Sequence, residues 1–176
     1  MKQMKVVIGI TGSIAAYRTC DLIRNLTRKN VEVTVCMTDG AEHFVTKTTF
    51  EALSGRQVYG SQWESGMPHI ELKRFANLLA IVPASANCIG KLAAGIADDL
   101  LTSTYLAHTG KVLIAPSMNP GMYASKAVQR NLRQLREDGV IVVDPAEGEA
   151  VCGDEGQGKL AAIDVIESRI IQLISG

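Results

Sequence analysis

A thiol, an imidazole and a glycine-rich basic run are the groups in this sequence best equipped for chemistry. The thiol is Cys152, set in EGEAVCGDEGQGKL at residues 147–160, an acidic, glycine-rich segment between two apolar stretches. Gly153, Gly158 and Lys159 have the spacing of a phosphate-binding P-loop, but that motif needs Ser or Thr next to hold Mg²⁺, and Leu160 stands there. Asp154 and Glu155 would also put negative charge into a phosphate cradle. The run therefore reads as a flexible loop carrying Cys152. The imidazole is His69, which follows Pro68 at the end of an irregular segment, residues 55–68, that also holds the one tryptophan, Trp63. A nucleophilic Cys–His pair fits the composition, the two groups meeting only in space. His43, His69 and His108 share no ligand spacing with each other or with Cys20, Cys36, Cys88 and Cys152, so no metal site is expected.

Three polar turns are suited to binding, and each ends an aliphatic run. Residues 5–11, KVVIGIT, form a predicted strand that ends in Gly12-Ser13; Ala16, Cys20, Ile23 and Leu26 then recur at helical spacing, and residues 31–37 are a second strand. The chain thus opens as a βαβ unit. No third glycine completes G-x-G-x-x-G, and Thr38 stands where an acidic residue would hold a dinucleotide ribose, so a mononucleotide fits better than NAD. Gly12-Ser13-Ile14 could seat a phosphate on backbone N–H groups or be a plain helix cap; both readings stand at this point. A third strand, 78–82, is stopped by Pro83, after which Ser85-Ala86-Asn87 cap a helix running to about Ala97. A fourth, 112–115, closes at Pro116 and opens into Ser117-Met118-Asn119.

The remaining elements keep the alternation. Residues 41–53 can carry one or two short helices. Ser125 caps a helix from Lys126 with Val128, Leu132 and Leu135 inward and Gly139 as its stop; 140–143 make a fifth strand, and Ile163, Ile166, Ile170 and Leu173 mark a last amphipathic helix. The expectation is α/β: one domain over 1–176, an open, doubly wound parallel sheet of five strands or slightly more with helices on both faces, and ligands beyond the carboxyl ends of the strands. A hydrophobic content of 47% with 5% aromatics suits such an aliphatic core. Eighteen basic and eighteen acidic residues cancel, which argues against nucleic acid or an anionic membrane as partner. No apolar run approaches the ~18 residues of a membrane span. Without CxxC pairs or a leader-like start, the expected compartment is the cytoplasm.

Taken together, GITGSIAAYR, HIELKRFANLLAIVPASAN, KLAAGIADDLLTST, APSMNPGMY and VCGDEGQGKLA follow in order the motif series of the flavin-containing cysteine decarboxylases. The chain resembles that family over nearly its whole length, and within it the branch acting on 4′-phosphopantothenoylcysteine. The resemblance implies a flavodoxin-like fold and FMN held by Gly12, Ser13, Ile14, Thr38, Ser85, Ala86, Asn87, Cys88 and Ser117. It implies His69 as catalytic base, Asn119 as the group that binds the substrate carboxylate, and Cys152 as proton donor. Met122, Ala150, Val151 and Lys159 would complete the substrate site. Cys88, Ser117, Tyr123 and Asn77 depart from the usual threonine, alanine, tryptophan and aspartate.

The implied reaction converts 4′-phosphopantothenoylcysteine to 4′-phosphopantetheine in coenzyme A biosynthesis. The substrate thiol is oxidised to a thioaldehyde, CO₂ leaves to give an enethiol, and the enethiol is reduced again. The chemistry is consistent: electrons left by CO₂ need a sink that no side chain provides. A helix N-terminus gives an anion about 0.3–1 kcal/mol, whereas micromolar retention of FMN needs about 8 kcal/mol. The flavin ring must therefore be buried as well, and with so few aromatics in the chain a wall from a second subunit is expected. The resemblance implies a homotrimer or an assembly of trimers, and a separate or fused phosphopantothenate–cysteine ligase that makes the substrate. Alternatives are a peptidyl-cysteine decarboxylase of a modified-peptide pathway, disfavoured by the Cys152 motif, a flavin prenyltransferase, and a non-catalytic phosphatase-regulatory subunit.

Overall fold

A computed structural model describes residues 3–63, 66–149 and 153–176. Five aliphatic runs form the expected strands: β1 (Lys5–Ile10), β2 (Glu32–Met37), β4 (Leu78–Ala84), β5 (Lys111–Pro116) and β6 (Ile141–Val142). A sixth, β3 (Val58–Tyr59), lies in the stretch read as irregular. The order is β3-β2-β1-β4-β5-β6, all parallel. Without the two-residue edge strand β3, this is the flavodoxin-like order, whose direction reverses between β1 and β4.

Strand side chains alternate between the two faces, as a period of two requires. Val6, Ile8 and Ile10 join Leu78, Ala80 and Val82 in one core, shared with α1 (Arg18–Arg28), the short α2 (Asp39–Glu42), α3 (Lys47–Ser54) and α9 (Ile163–Ser175). Val7, Leu79 and Ile81 face the other core, under α4 (Pro68–Phe75), α5 (Ala86–Ala94), α6 (Leu100–Ala107) and α8 (Lys126–Glu137). Burial on both faces is why the strands read as unbroken aliphatic runs. On α1 the buried face is Thr19, Leu22, Ile23 and Leu26; Cys20 is half-buried, and the predicted Ala16 belongs instead to a 3₁₀ turn, Ile14–Tyr17. Val128, Leu132 and Leu135 are buried on α8 as expected, behind the Ser125 cap.

Three expectations change. Pro83 does not end its strand: β4 runs on to Ala84 through a cis Val82–Pro83 bond, with a register shift against β5 between Ile81 and Ala84. A proline lacks the ladder N–H, and a register shift is where a strand tolerates that loss. His69 is on the first turn of α4, with Pro68 at the helix start where its missing N–H costs nothing. The glycine-rich run is not a formless loop: β7 (Ala146–Glu149) and β8 (Glu155–Lys159) pair antiparallel as a separate two-stranded sheet. Among the described residues, no helix is long and apolar enough to cross a membrane.

Candidate active site

The carboxyl ends of β1, β4 and β5 are tied together by buried hydroxyls. Thr11 Oγ1 donates to the Pro83 carbonyl at 2.7 Å and accepts the Ser85 N–H at 2.8 Å, closing the point where the strand order reverses. Thr19 Oγ1 reaches back from α1 to the Val82 carbonyl at 2.9 Å. Ser13 Oγ donates to Ser117 Oγ at 3.2 Å and accepts the Ala15 N–H at 3.3 Å. The Ser13 proton is therefore engaged, and a phosphate at this turn would meet backbone N–H groups first.

Those groups suit a phosphate-bearing mononucleotide. Ser13 caps the 3₁₀ turn and Ser85 caps α5, with Ser85 Oγ accepting the Cys88 N–H at 3.2 Å; the first turn of each contains no acidic residue. Ala86 and Asn87 lie in the first turn of α5, where N–H groups have no acceptor inside the helix. Gly12 faces the backbone of Gly40, and an added Cβ would come within 3.2 Å of it, a tight contact that the neighbouring chain would have to relieve by a few tenths of an ångström. Thr38 lies at the end of β2, its N–H bonded to the Ile10 carbonyl at 3.0 Å. Gly12, Ser13, Thr38, Ser85 and Ser117 are thus gathered at one edge of the sheet. Ile14 and Tyr17 lie on the same turn, 51% and 57% exposed.

Cys88 stands in the first turn of α5. Its side chain is buried in the core beneath α5, where desolvation, with the Asp99 carboxylate adding to it against Lys91, pushes the thiol up to about 12. Its contribution to the turn is the N–H given to Ser85, and its thiol belongs to the packing.

The second cluster is built on α7 (Pro120–Ala124), whose cap is Asn119. Asn119 Oδ1 accepts the N–H groups of Gly121 at 2.7 Å and Met122 at 3.4 Å, which turns the amide nitrogen outward. Asn119 Nδ2 donates to Asp154 Oδ2 at 2.6 Å. Strand β8 lies along this corner: the Met118 N–H donates to the Gly158 carbonyl at 3.0 Å. A Cβ on Gly158, at φ 158°, would stand 2.5 Å from the Met118 carbonyl oxygen, so glycine is what lets the two backbones meet. At the base of the hairpin, Asp144 accepts from Tyr123 Oη at 3.3 Å and from Arg136 at 2.6 Å. Burial, and then the Asp144 carboxylate, push the Tyr123 phenol up.

Met122 is exposed beside Asn119, and Lys159 is exposed on β8 opposite Ala146. His69 is half-buried on α4, which packs on α6 and β1, whereas α7 packs on α8 and β8. Ala150, Val151 and Cys152 lie outside the described residues. Reading the sequence missed Thr11, whose type carries no signal at a strand end, and Asp154, which counted there only as a charge hostile to phosphate.

Comparison with known proteins gives the family. CoaBC of Bacillus subtilis, a coenzyme A biosynthesis bifunctional protein, is 43% identical over 164 residues, 91% of this chain and 40% of its own. The chain spans about 40% of the length of the curated relatives it matches. A PPC decarboxylase mutant complexed with pantothenoylaminoethenethiol superposes with a TM-score of 0.89 at 30% identity, covering 99% of this chain and 100% of that one. The FMN-dependent cysteine decarboxylase SpaF gives 0.83 at 36%, covering 97% of each. Residues 1–175 match the family model described as Flavoprotein, and the chain belongs to that family.

Proposed function

We propose that this chain binds FMN at the Gly12–Ile14 turn and catalyses the decarboxylation of 4′-phosphopantothenoylcysteine to 4′-phosphopantetheine, in coenzyme A biosynthesis. The observation that carries this reading is Asn119: its oxygen is locked by two backbone N–H groups, and its amide nitrogen already holds a carboxylate beside the mononucleotide turn. A neutral donor can orient a substrate carboxylate without holding its charge so strongly that CO₂ is retained. Bound FMN would supply the two-electron acceptor and donor that the substrate thiol chemistry needs.

The chain's own groups do the rest. The backbone N–H groups of the two turns that Ser13 and Ser85 cap would hold the cofactor phosphate, with Gly12 and Thr38 beside them and Ser117 bonded to Ser13. His69 Nδ1 or Nε2 removes the proton that leaves with substrate oxidation. Cys152 returns a proton at the end, a role that rests on its motif. Lys159 and Met122 flank Asn119 and receive the remainder of the substrate. Exposed Ile14 and Tyr17 support a second copy as the outer wall of the flavin site, hence a homotrimer or an assembly of trimers. The partner enzyme is the phosphopantothenate–cysteine ligase that makes the substrate, and the compartment is the cytoplasm, in keeping with the free thiols of Cys20 and Cys88.

The test is to mix the yellow protein with 4′-phosphopantothenoylcysteine and follow CO₂ and 4′-phosphopantetheine. Both should appear in equal amounts. A flavin-loaded protein that yields neither, or that turns over only peptides ending in cysteine, overturns the reading.

A further inference from the structure

The seat that Asn119 offers is already taken. Its Nδ2 is 2.6 Å from Asp154 Oδ2, and Asp154 enters from the hairpin, not from α7. Hairpin and corner are pressed together by the Met118–Gly158 bond. The same donor cannot give its outward proton to two carboxylates in one place, and two carboxylates side by side would repel. We infer that Asp154 is an internal carboxylate that occupies the Asn119 seat whenever no substrate carboxylate is there, so that Asp154 sets how strongly the site prefers acid to decarboxylated product.

This rests on the reading of Asn119 as the substrate's carboxylate seat. A ligand with a carboxylate must displace Asp154. A ligand of the same shape without one leaves Asp154 in place and the amide satisfied. The displacement lowers the apparent affinity of the acid by the fraction of time the seat is open. When CO₂ departs, Asp154 can return to Asn119, so the emptied corner never holds an unpaired amide. Asp154 is thus a positioning and specificity residue, and it need not touch the reacting atoms.

Two inert ligands separate these effects. In 4′-phosphopantothenoylserine the thiol is replaced by a hydroxyl, and 4′-phosphopantothenoyl-ethanolamine lacks only its carboxylate. Titration calorimetry of the FMN-loaded protein gives a Kd for each. In Asp154→Ala the serine compound should bind about 10-fold tighter, as for a seat open one-tenth of the time, while the ethanolamine compound keeps its Kd. Asp154→Asn, which retains an acceptor without the charge, should fall between. Weaker or unchanged binding of the serine compound to Asp154→Ala overturns the proposal, and so does an equal gain by both ligands. Asn119→Ala reports on the underlying reading separately: loss of preference for the serine compound upholds the seat, and an unchanged preference removes it and this proposal with it.

Discussion

Two corners at the carboxyl edge of the sheet hold polar groups, and they are built in opposite ways. At the Ser13 turn the contacts are buried and join distant parts of the chain: Thr11 to Pro83, Thr19 to Val82 and Ser13 to Ser117. At the Asn119 corner the side-chain contacts are exposed, and the hairpin is held by a backbone bond that passes over a glycine. Buried hydroxyl links are costly to break and hold one geometry. Exposed links exchange with water and open at small cost. The first corner suits a cofactor that stays, and the second a substrate that must enter and leave.

Breaking the rigid corner should have the largest effect. Thr11→Val keeps the shape but leaves the Pro83 carbonyl and the Ser85 N–H without their partner. Each such group costs about 1–3 kcal/mol when buried, so a loss of about 2–4 kcal/mol is expected in urea unfolding, with weaker FMN retention. Thr11→Ser should restore most of it, because the hydroxyl returns. A loss below about 0.5 kcal/mol in Thr11→Val, the range of an ordinary surface change, would mean that the hydroxyl links do not hold this corner.

The exposed corner should fail differently. Gly158→Ala puts a Cβ against the Met118 carbonyl, and the hairpin must move off α7. A displacement of about 1 Å can cost about 100-fold in rate, so kcat/KM should fall by that order while FMN content and the urea midpoint barely change. Parallel losses of FMN and activity would erase the distinction between the corners.

That distinction was only half legible in the sequence. Aliphatic runs ending in Ser, Thr and Gly located the strands, the caps at Ser13, Ser85 and Ser125, and the edge where the polar turns gather. The periodic signal is strong there because both faces of each strand are buried. The hairpin was opaque for the opposite reason: EGEAVCGDEGQGK has no alternation, and among its described residues Gly158 meets Met118 through its backbone. Helix α4 was half-hidden because Pro68 reads as a break, although proline is at home in a first helical turn. On α9, Glu167 lies on the buried stripe between Ile166 and Ile170, and only the fold shows Lys29 and Asn25 meeting its carboxylate.

The smallest effect concerns the far end of the sheet and separates global stability from either corner. His108 lies past α6, near the starts of β4 and β5, where its Nε2 is buried without a hydrogen-bond partner among the described residues. Burial, with Lys73 adding to it, holds the imidazole below its ordinary range, against the backbone at Lys111 and Asn77. The folded form thus resists protonation more than the unfolded chain, whose histidine titrates near ~6.5. Above that pH both states are neutral at this site and its contribution is complete. As pH falls from there toward the lowered folded value, the unfolded state binds the proton first and stability declines; below the folded value the slope ends. Urea midpoints measured between pH 7.5 and pH 5.5 should therefore fall less in His108→Gln than in the parent. Ligand Kd values at the Asn119 corner should show no matching change. Equal slopes in both proteins would mean that His108 does not carry the pH dependence, and a shift in ligand affinity with the midpoint would mean that the corner follows the whole sheet.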